Sequence, residues 1–165
     1  MARMNESCAA WVIGLLDIQP HDRVLEVGFG PGVAIQLLTR STPAKYVAGV
    51  DFTREMVEQA TTRNVKAIES GGAELRHGSV ENLPFEDHAF DKALAINSIP
   101  VWPDAVAGLR EMRRVMKAGG KIALGLTPYS GRSKDGVCEL LTTADFANTR
   151  VVESEREFCT PASKP

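Results

Sequence analysis

The sequence predicts an α/β fold with a seven-stranded, mostly parallel sheet, an antiparallel last strand and helices on both faces. Strand-like and helix-like segments alternate along the 165 residues, which is typical of parallel strands joined by helices. The final two strand-like segments, 150–153 and 158–163, have no helix between them. They are expected to form an antiparallel pair at one edge of the sheet, because parallel strands need a longer connection.

The hydrophobic pattern predicts the individual elements. Short apolar runs predict five further strands, at 23–27, 46–50, 73–77, 90–96 and 121–125. Helical periodicity, or a preceding glycine turn, predicts helices at 5–16, 33–39, 54–69, 104–116 and 134–144. Asp104 is a suitable N-cap for the helix that follows it, and Gly119 and Gly120 are expected to end that helix. Residues 78–89 are predicted to form a loop.

The whole chain, 1–165, is predicted to be one domain, since single domains usually contain about 100–200 residues. Residues 1–20 are expected to form an N-terminal helix or cap rather than a signal peptide. No apolar run approaches the roughly 20 residues that span a bilayer. The net charge of −2 favours neither nucleic acid nor an anionic membrane as a partner. A cytoplasmic location is therefore expected.

Cysteine and histidine spacing predicts neither disulfides nor a metal site. The three cysteines are odd in number and widely spaced, so they are expected to be small apolar residues. They are Cys8, Cys138 and Cys159. The three histidines are far apart and match no metal-binding pattern.

A glycine-rich turn is the strongest functional signal. Gly28, Gly30 and Gly32 directly follow the strand predicted at 23–27 and lead into a helix. Glycine is needed where φ is positive or where a ligand approaches the backbone closely, and the first N–H groups of the helix can face a polar ligand. The dinucleotide pattern GxGxxG would require glycine where Val33 stands. The turn therefore favours a ligand that lays an amino-acid part, without phosphate, against the backbone.

Two carboxylates accompany this turn. Glu26 lies within a buried strand, where an unpaired charge is costly, so we expect it to accept hydrogen bonds from the N–H groups of the turn. The alternative is a glutamate on an edge strand that reaches solvent. Asp51 ends the second strand, about 20 residues after the turn, where an acid accepts from ribose hydroxyls. Its alternative role is to stabilise the N-terminus of the next helix.

Four segments extend these signals over nearly the whole chain: VLEVGFGPG, GVDFTREMVEQA, GSVENLPFEDHAFDKALAINS and EMRRVMKAGGKIAL. With them the sequence resembles the class I S-adenosylmethionine (SAM)-dependent methyltransferases, which have a Rossmann-like fold. It is most similar to their small type 11 (UbiE-like) branch. The resemblance implies that SAM is the cofactor, that S-adenosylhomocysteine is its product, and that the partner is a small-molecule methyl acceptor.

The resemblance also implies a set of cofactor-binding residues: Glu26, Gly28, Phe29, Gly30, Gly32, Asp51, Phe52, Met56, Ser79, Val80 and Asn97. The glycine turn would lie along the methionine part of SAM, and Asp51 would accept from both ribose hydroxyls. Phe52 and Met56 would pack on the adenine or ribose. Ser79 and the Val80 N–H would hold the adenine edge, although relatives often carry Asp in place of Ser79. The backbone near Asn97 would receive the α-amino group.

Methyl transfer from SAM is an in-line displacement that depends mainly on alignment, and alignment alone can contribute ~7–11 kcal/mol. A dedicated catalytic residue is therefore optional and none is assigned; His77 and His88 are candidates for a general base only by residue type. Ser98, Trp102 and Tyr129 are predicted to line the acceptor pocket. The alternatives are core packing for Trp102 and an exposed turn for Tyr129. Many relatives carry two histidines where Pro100 and Val101 precede Trp102.

Three arrangements of the acceptor site remain open: an open site, a site completed by the second subunit of a homodimer, and a site closed by the N-terminal helix. Two other functions also remain. One is a non-catalytic SAM-binding or scaffold protein with the same fold, since a fold alone does not establish activity. The other is an NAD-dependent oxidoreductase, against which Val33 argues.

Overall fold

A computed structural model describes residues 2–165, with side chains for 6–128 and 130–165. Its single sheet contains seven strands. They are β1 (Arg23–Val27), β2 (Tyr46–Asp51), β3 (Ala73–His77), β4 (Phe90–Ile96), β5 (Met116–Leu126), β6 (Val152–Glu153) and β7 (Phe158–Ser163). The order across the sheet is β3-β2-β1-β4-β5-β7-β6.

The strand directions confirm the predicted fold class. β1 pairs in parallel with β2 and β4, β2 with β3, and β4 with β5. β7 runs antiparallel to both β5 and β6. The last two strands therefore form the antiparallel pair predicted at one edge, and the carboxyl ends of β1 to β5 all meet at one side of the sheet.

Helices cover both faces. They are α1 (Ala2–Leu15), α2 (Val33–Ser41), α3 (Arg54–Arg63), α4 (Val65–Glu69), α5 (Ala105–Val115) and α6 (Lys134–Thr143). Buried side chains of α1, α2 and α3 form one core with residues such as Val24 and Leu94. Those of α5 and α6 form a second core with Leu25 and Leu124 on the other face. Strand neighbours Val24 and Leu25 thus serve opposite cores, as the alternation of strand side chains requires.

The helix predicted at 54–69 is interrupted at Asn64, which separates α3 from α4. Asn64 is 4% exposed, and its Nδ2 donates to the Ala60 carbonyl at 2.9 Å and to the Gly32 carbonyl at 3.1 Å. Asparagine side chains compete in this way with the backbone bonds of a helix. The interruption therefore ties the end of α3 to the glycine turn.

The prediction that Gly119 and Gly120 end a helix is wrong. α5 ends at Val115, and β5 begins at Met116, before the glycines. The pairing of β5 with β4 shifts register between Phe90 and Lys92, and Gly119 has a φ of +80°. A Cβ at Gly120 would lie 2.9 Å from the carbonyl oxygen of Asp91. The glycines therefore permit an irregularity within the sheet.

Smaller predictions have mixed outcomes. Asp104 caps α5, because its Oδ1 accepts from the Ala107 N–H at 3.0 Å.

Cys8 and Cys159 are buried, whereas Cys138 is half-buried. Burial raises the pKa of Cys8 to about 11 and the pKa of Cys159 to about 12. No helix in the described part of the chain combines the length and apolar character needed to cross a membrane.

Candidate functional site

A groove of about 300 Å³ opens where the carboxyl ends of β1, β2 and β4 meet. This is the edge at which ligands bind in open α/β sheets. All predicted cofactor residues except Gly32 line this groove or an adjoining cavity of about 150 Å³. The fold therefore brings together residues that lie as far apart in the sequence as Glu26 and Asn97.

The three glycines of the turn have left-handed backbones, with φ values of +74°, +53° and +86° for Gly28, Gly30 and Gly32. A Cβ at Gly28 would lie 2.3 Å from Ser98 Cβ, and one at Gly32 would lie 2.7 Å from Ala60 Cβ. A Cβ at Gly30 would meet nothing within 4 Å. Gly28 and Gly32 therefore allow close packing, whereas Gly30 exposes the backbone to the groove.

Asp51 connects the turn to the next helix. Its Oδ2 accepts from the Gly30 N–H, and its Oδ1 accepts from the Thr53 N–H, both at 2.9 Å. The carboxylate is 7% exposed. Because each carboxylate oxygen can accept more than one hydrogen bond, Asp51 is held in place and still has acceptor capacity toward the groove.

The structure corrects the partners expected for Glu26. The N–H groups of Gly28, Gly30 and Gly32 donate to Val50 O, Asp51 Oδ2 and Phe29 O. Glu26 is only 2% exposed, and its Oε2 has no hydrogen-bond partner among the described residues. Burial and, to a lesser extent, the charge of Asp51 raise the pKa of Glu26 from 4.5 to about 8. The groove therefore contains an unsatisfied carboxyl group.

The smaller cavity lies between the loop after β3 and the segment that precedes α5. Phe52, Ser79, Val80 and Trp102 line it. The Ser79 Oγ accepts from the Glu81 N–H at 3.2 Å, so the hydroxyl also stabilises its own turn. Apolar walls with a few polar groups are typical of small-molecule sites.

The end of β4 is fixed to its neighbours. Asn97 has a φ of +54°, and its Oδ1 accepts from the Thr127 N–H at 2.9 Å. The Ser98 Oγ donates to the Val27 carbonyl at 3.0 Å. Asn97 and Ser98 line the groove as predicted, but both side chains also stabilise the junction of β1, β4 and β5.

The predicted acceptor residues differ in position. Trp102 lines both cavities and also packs on α5, since a Cβ at Gly108 would lie 2.9 Å from its Cε3. Trp102 therefore packs against α5 and also faces the groove, and its role toward an acceptor stays a prediction. The side chain of Tyr129 lies outside the described residues. Phe52 and Val101, each 68% exposed, form an apolar rim around the entrance.

Sequence reasoning missed several lining residues: Ala9, Pro31, Val33, Ala34, Thr53, Ile96 and Val101. Ala9 belongs to α1, and no local motif indicates that α1 reaches the groove. Thr53 and Ile96 directly adjoin predicted site residues, so position alone was a usable signal for them. The sequence around Val101 contains no local signal that this residue lines a groove.

Both histidines proposed by residue type lie elsewhere. His77 Nε2 is 2.8 Å from the Phe52 carbonyl oxygen, and His88 Nδ1 is 3.2 Å from the Met116 carbonyl oxygen. Glu26 and Asp51 are the ionisable side chains among the described residues that line the two cavities. The walls therefore favour a ligand that carries positive charge.

Comparison with known proteins agrees with this geometry. A family model described as a methyltransferase domain matches residues 25–124. The methyltransferase YdaC of Bacillus subtilis is 32% identical over 128 residues, which are 78% of this chain and 68% of that protein. A demethylmenaquinone methyltransferase of Corynebacterium urealyticum is 37% identical over 144 residues, 86% of this chain but 58% of that protein.

Solved structures show the same fold. A SAM-dependent methyltransferase from Aquifex aeolicus superposes with a TM-score of 0.83 at 22% identity. The superposition covers 93% of this chain and 88% of that one.

Proposed function

This chain belongs to the methyltransferase-domain family of class I SAM-dependent methyltransferases, and we propose that it transfers the methyl group of SAM to a small-molecule acceptor in the groove. The observation that carries the proposal is that two acids, Glu26 and Asp51, are both buried close to the open backbone of Gly30. A ligand with an ammonium group at one end and a ribose at the other satisfies both acids.

Glu26 supports binding of the amino-acid end. An unpartnered buried carboxyl is costly, and a ligand ammonium placed beside Oε2 would remove that cost by pairing with the ionised form. The glycine turn next to it offers a backbone without side chains at Gly30. This assignment gives the α-amino group to Glu26, in addition to the backbone near Asn97.

Asp51 and the smaller cavity support binding of the nucleoside end. The oxygens of Asp51 are oriented by the Gly30 and Thr53 N–H groups, so their remaining acceptor capacity is available to two ribose hydroxyls. Phe52 and Val80 then offer apolar surface to the adenine. The ribose and adenine thus occupy adjoining parts of one continuous site.

Positioning is the main contribution of the protein to the reaction. Bound SAM supplies an activated methyl group on a sulfonium, and the chain must hold an acceptor in line with it. Ile96, Val101 and Trp102 provide apolar surface for that acceptor. Among the described residues, no histidine or lysine lines the two cavities, so we expect an acceptor that loses its proton to solvent rather than to one of these side chains.

Transfer from radiolabelled SAM to a panel of apolar phenols, quinols and thiols tests the activity. We expect label to appear in at least one acceptor and S-adenosylhomocysteine to inhibit its transfer. Tight SAM binding with no transfer to any acceptor would favour the non-catalytic alternative. We also expect S-adenosylhomocysteine, but not NAD, to raise the melting temperature, because a ligand stabilises the folded state to which it binds.

Gly30→Val should weaken SAM binding at least about tenfold while the chain still folds. The valine meets no protein atom near its Cβ, so it occupies the groove, and its left-handed backbone costs roughly 1–2 kcal/mol. Gly71→Val is the matched control: Gly71 has a φ of +80° and equally open space, but does not line the groove. Equal SAM affinities of the two variants, measured by calorimetry, would contradict the site.

A further inference from the structure

A separate cavity of about 280 Å³ shares no lining residue with the groove. It lies beside the start of β2, the end of α2 and the junction of α3 with α4. Four basic residues line it: Arg40, Lys45, Arg63 and Lys66. We refer to it as the basic cavity. Nothing in the proposed methyl transfer uses it.

The charge of the basic cavity is unbalanced. No carboxylate lines it, and in the described part of the chain none of its four basic side chains lies within 4.0 Å of an acid. The negative ends of the helices beside it, each of roughly −0.5 at most, are too weak to cancel these four charges. The whole chain carries −2. This concentration of positive charge favours a bound anion.

Asn64 adds a second polar feature to the wall. It is almost fully buried, and its Oδ1 has no hydrogen-bond partner among the described residues. Buried polar atoms without partners are rare in native proteins and call for a missing donor. Because Oδ1 has almost no accessible surface, the side chain must shift slightly toward the basic cavity before a ligand hydroxyl or a water molecule can supply that donor.

The basic cavity is also joined to the cofactor turn. Arg63 donates through Nε to the Pro31 carbonyl at 3.0 Å, and Asn64 donates to the Gly32 carbonyl at 3.1 Å. Arg63 therefore keeps its terminal nitrogens for another acceptor while Nε holds the turn. An anion that fixes the guanidinium in this position would restrict the motion of the turn that carries Gly30.

We propose that the basic cavity binds the phosphate group of a small phosphorylated molecule, and that its occupancy tightens SAM binding through Arg63 and Asn64. Arginine pairs with phosphate through two parallel hydrogen bonds. The positive charge is gathered in a concavity rather than spread along a face, which suits a small ligand better than nucleic acid. By linkage, the cofactor must tighten anion binding by the same factor.

Calorimetric titration of the full chain with inorganic diphosphate at low ionic strength tests the proposal. We expect saturable binding that weakens as salt is added. Saturating diphosphate should then tighten the binding of S-adenosylhomocysteine about fivefold or more. Arg63→Gln should lose most of this coupling, because the amide cannot hold the Pro31 carbonyl and a phosphate together.

A double variant isolates the basic cavity from the cofactor groove. Arg40→Gln/Lys45→Gln removes two of its charges without touching the glycine turn, so diphosphate binding and coupling should both be lost while basal S-adenosylhomocysteine affinity is unchanged. Arg132→Gln/Arg156→Gln is the matched control, since it removes the same charge from exposed residues elsewhere. The control should retain both properties.

Three results would overturn the proposal. They are the absence of saturable diphosphate binding, equal binding by the double variant and the wild type, and an S-adenosylhomocysteine affinity that diphosphate does not change. If a short oligonucleotide displaces diphosphate and binds much more tightly, the ligand of the basic cavity is nucleic acid rather than a small phosphorylated molecule. None of these readouts uses methyl transfer, so failure here and failure of the proposed enzyme activity are distinguishable.

Discussion

Glu26→Gln should make the ligand-free protein progressively more stable than the wild type as pH rises, yet weaken its binding of SAM. The reason is that Glu26 is buried without a partner for Oε2 in the ligand-free fold. Glutamine is neutral at every pH and has nearly the same shape. The substitution therefore removes the cost of a buried charge together with the group that receives the ligand ammonium.

The direction of the pH dependence follows from the pKa of Glu26, which rises from 4.5 to about 8 on folding. Between these two values the folded protein binds more protons at Glu26 than the unfolded chain does. The contribution of Glu26 to the free energy of unfolding therefore falls with rising pH, by up to about 1.4 kcal/mol per pH unit. Above about pH 8 the loss is complete and the dependence levels off.

Urea titrations at several pH values measure this difference. The stability of Glu26→Gln relative to the wild type should increase with pH and become constant above the folded pKa. Glu111→Gln is the control with the opposite sign, because the hydrogen bond and charge of Arg114 lower the pKa of Glu111. A relative stability of Glu26→Gln that does not change with pH would show that Glu26 is already satisfied in the free protein.

The ligand affinity should change in the other direction. If an ammonium pairs with ionised Glu26, wild-type binding releases up to one proton, and affinity should rise up to about tenfold per pH unit below the folded pKa. In Glu26→Gln this dependence should disappear. At about pH 8 the variant should bind at least about tenfold more weakly, since hydrogen bonds to charged groups contribute about 1.5–3 kcal/mol. Calorimetry in two buffers of different ionisation enthalpy counts the released proton.

Asp51→Ala should reduce SAM affinity at least about 100-fold, which is a larger loss than the one expected for Glu26→Gln. The variant loses two charged contacts to the ribose, each worth about 1.5–3 kcal/mol. It also frees the Gly30 and Thr53 N–H groups, which Asp51 holds at 2.9 Å, so the turn is less well ordered before the ligand arrives. S-adenosylhomocysteine affinity by calorimetry and the melting temperature measure both consequences.

Asp51→Asn separates the contacts of this residue with the ribose from its hydrogen bonds with the Gly30 and Thr53 N–H groups. The amide has one oxygen, so it can keep either the Gly30 or the Thr53 contact, and its affinity should lie between those of Asp51→Ala and the wild type. Both variants should also lower the pKa of Glu26, since the charge of Asp51 is the smaller of its two causes. Unchanged affinity in Asp51→Ala would place the ribose elsewhere and remove the basis of the proposed site.

Local sequence features predicted most of the strands and the glycine turn. Arg23–Val27 and Phe90–Ile96 have the bounds predicted from apolar runs, because buried parallel strands are continuously hydrophobic. The turn was predictable because a left-handed backbone at Gly30 needs glycine. The break at Asn64 and the early start of β5 were not predictable. Each depends on a partner distant in sequence, which is the Gly32 carbonyl for Asn64 and the paired residue Phe90 for Met116.

The sequence by itself determined the family, the order of the elements and the pair of acids that face the groove, since all of these follow from short motifs and local periodicity. Only the tertiary structure decided that Glu26 has no protein partner for Oε2 and that α1 contributes Ala9 to the groove. It alone gathers the charges of the basic cavity next to the carbonyls of the cofactor turn. The physical reason is that desolvation and charge depend on every neighbour in space, whereas a motif records only neighbours along the chain.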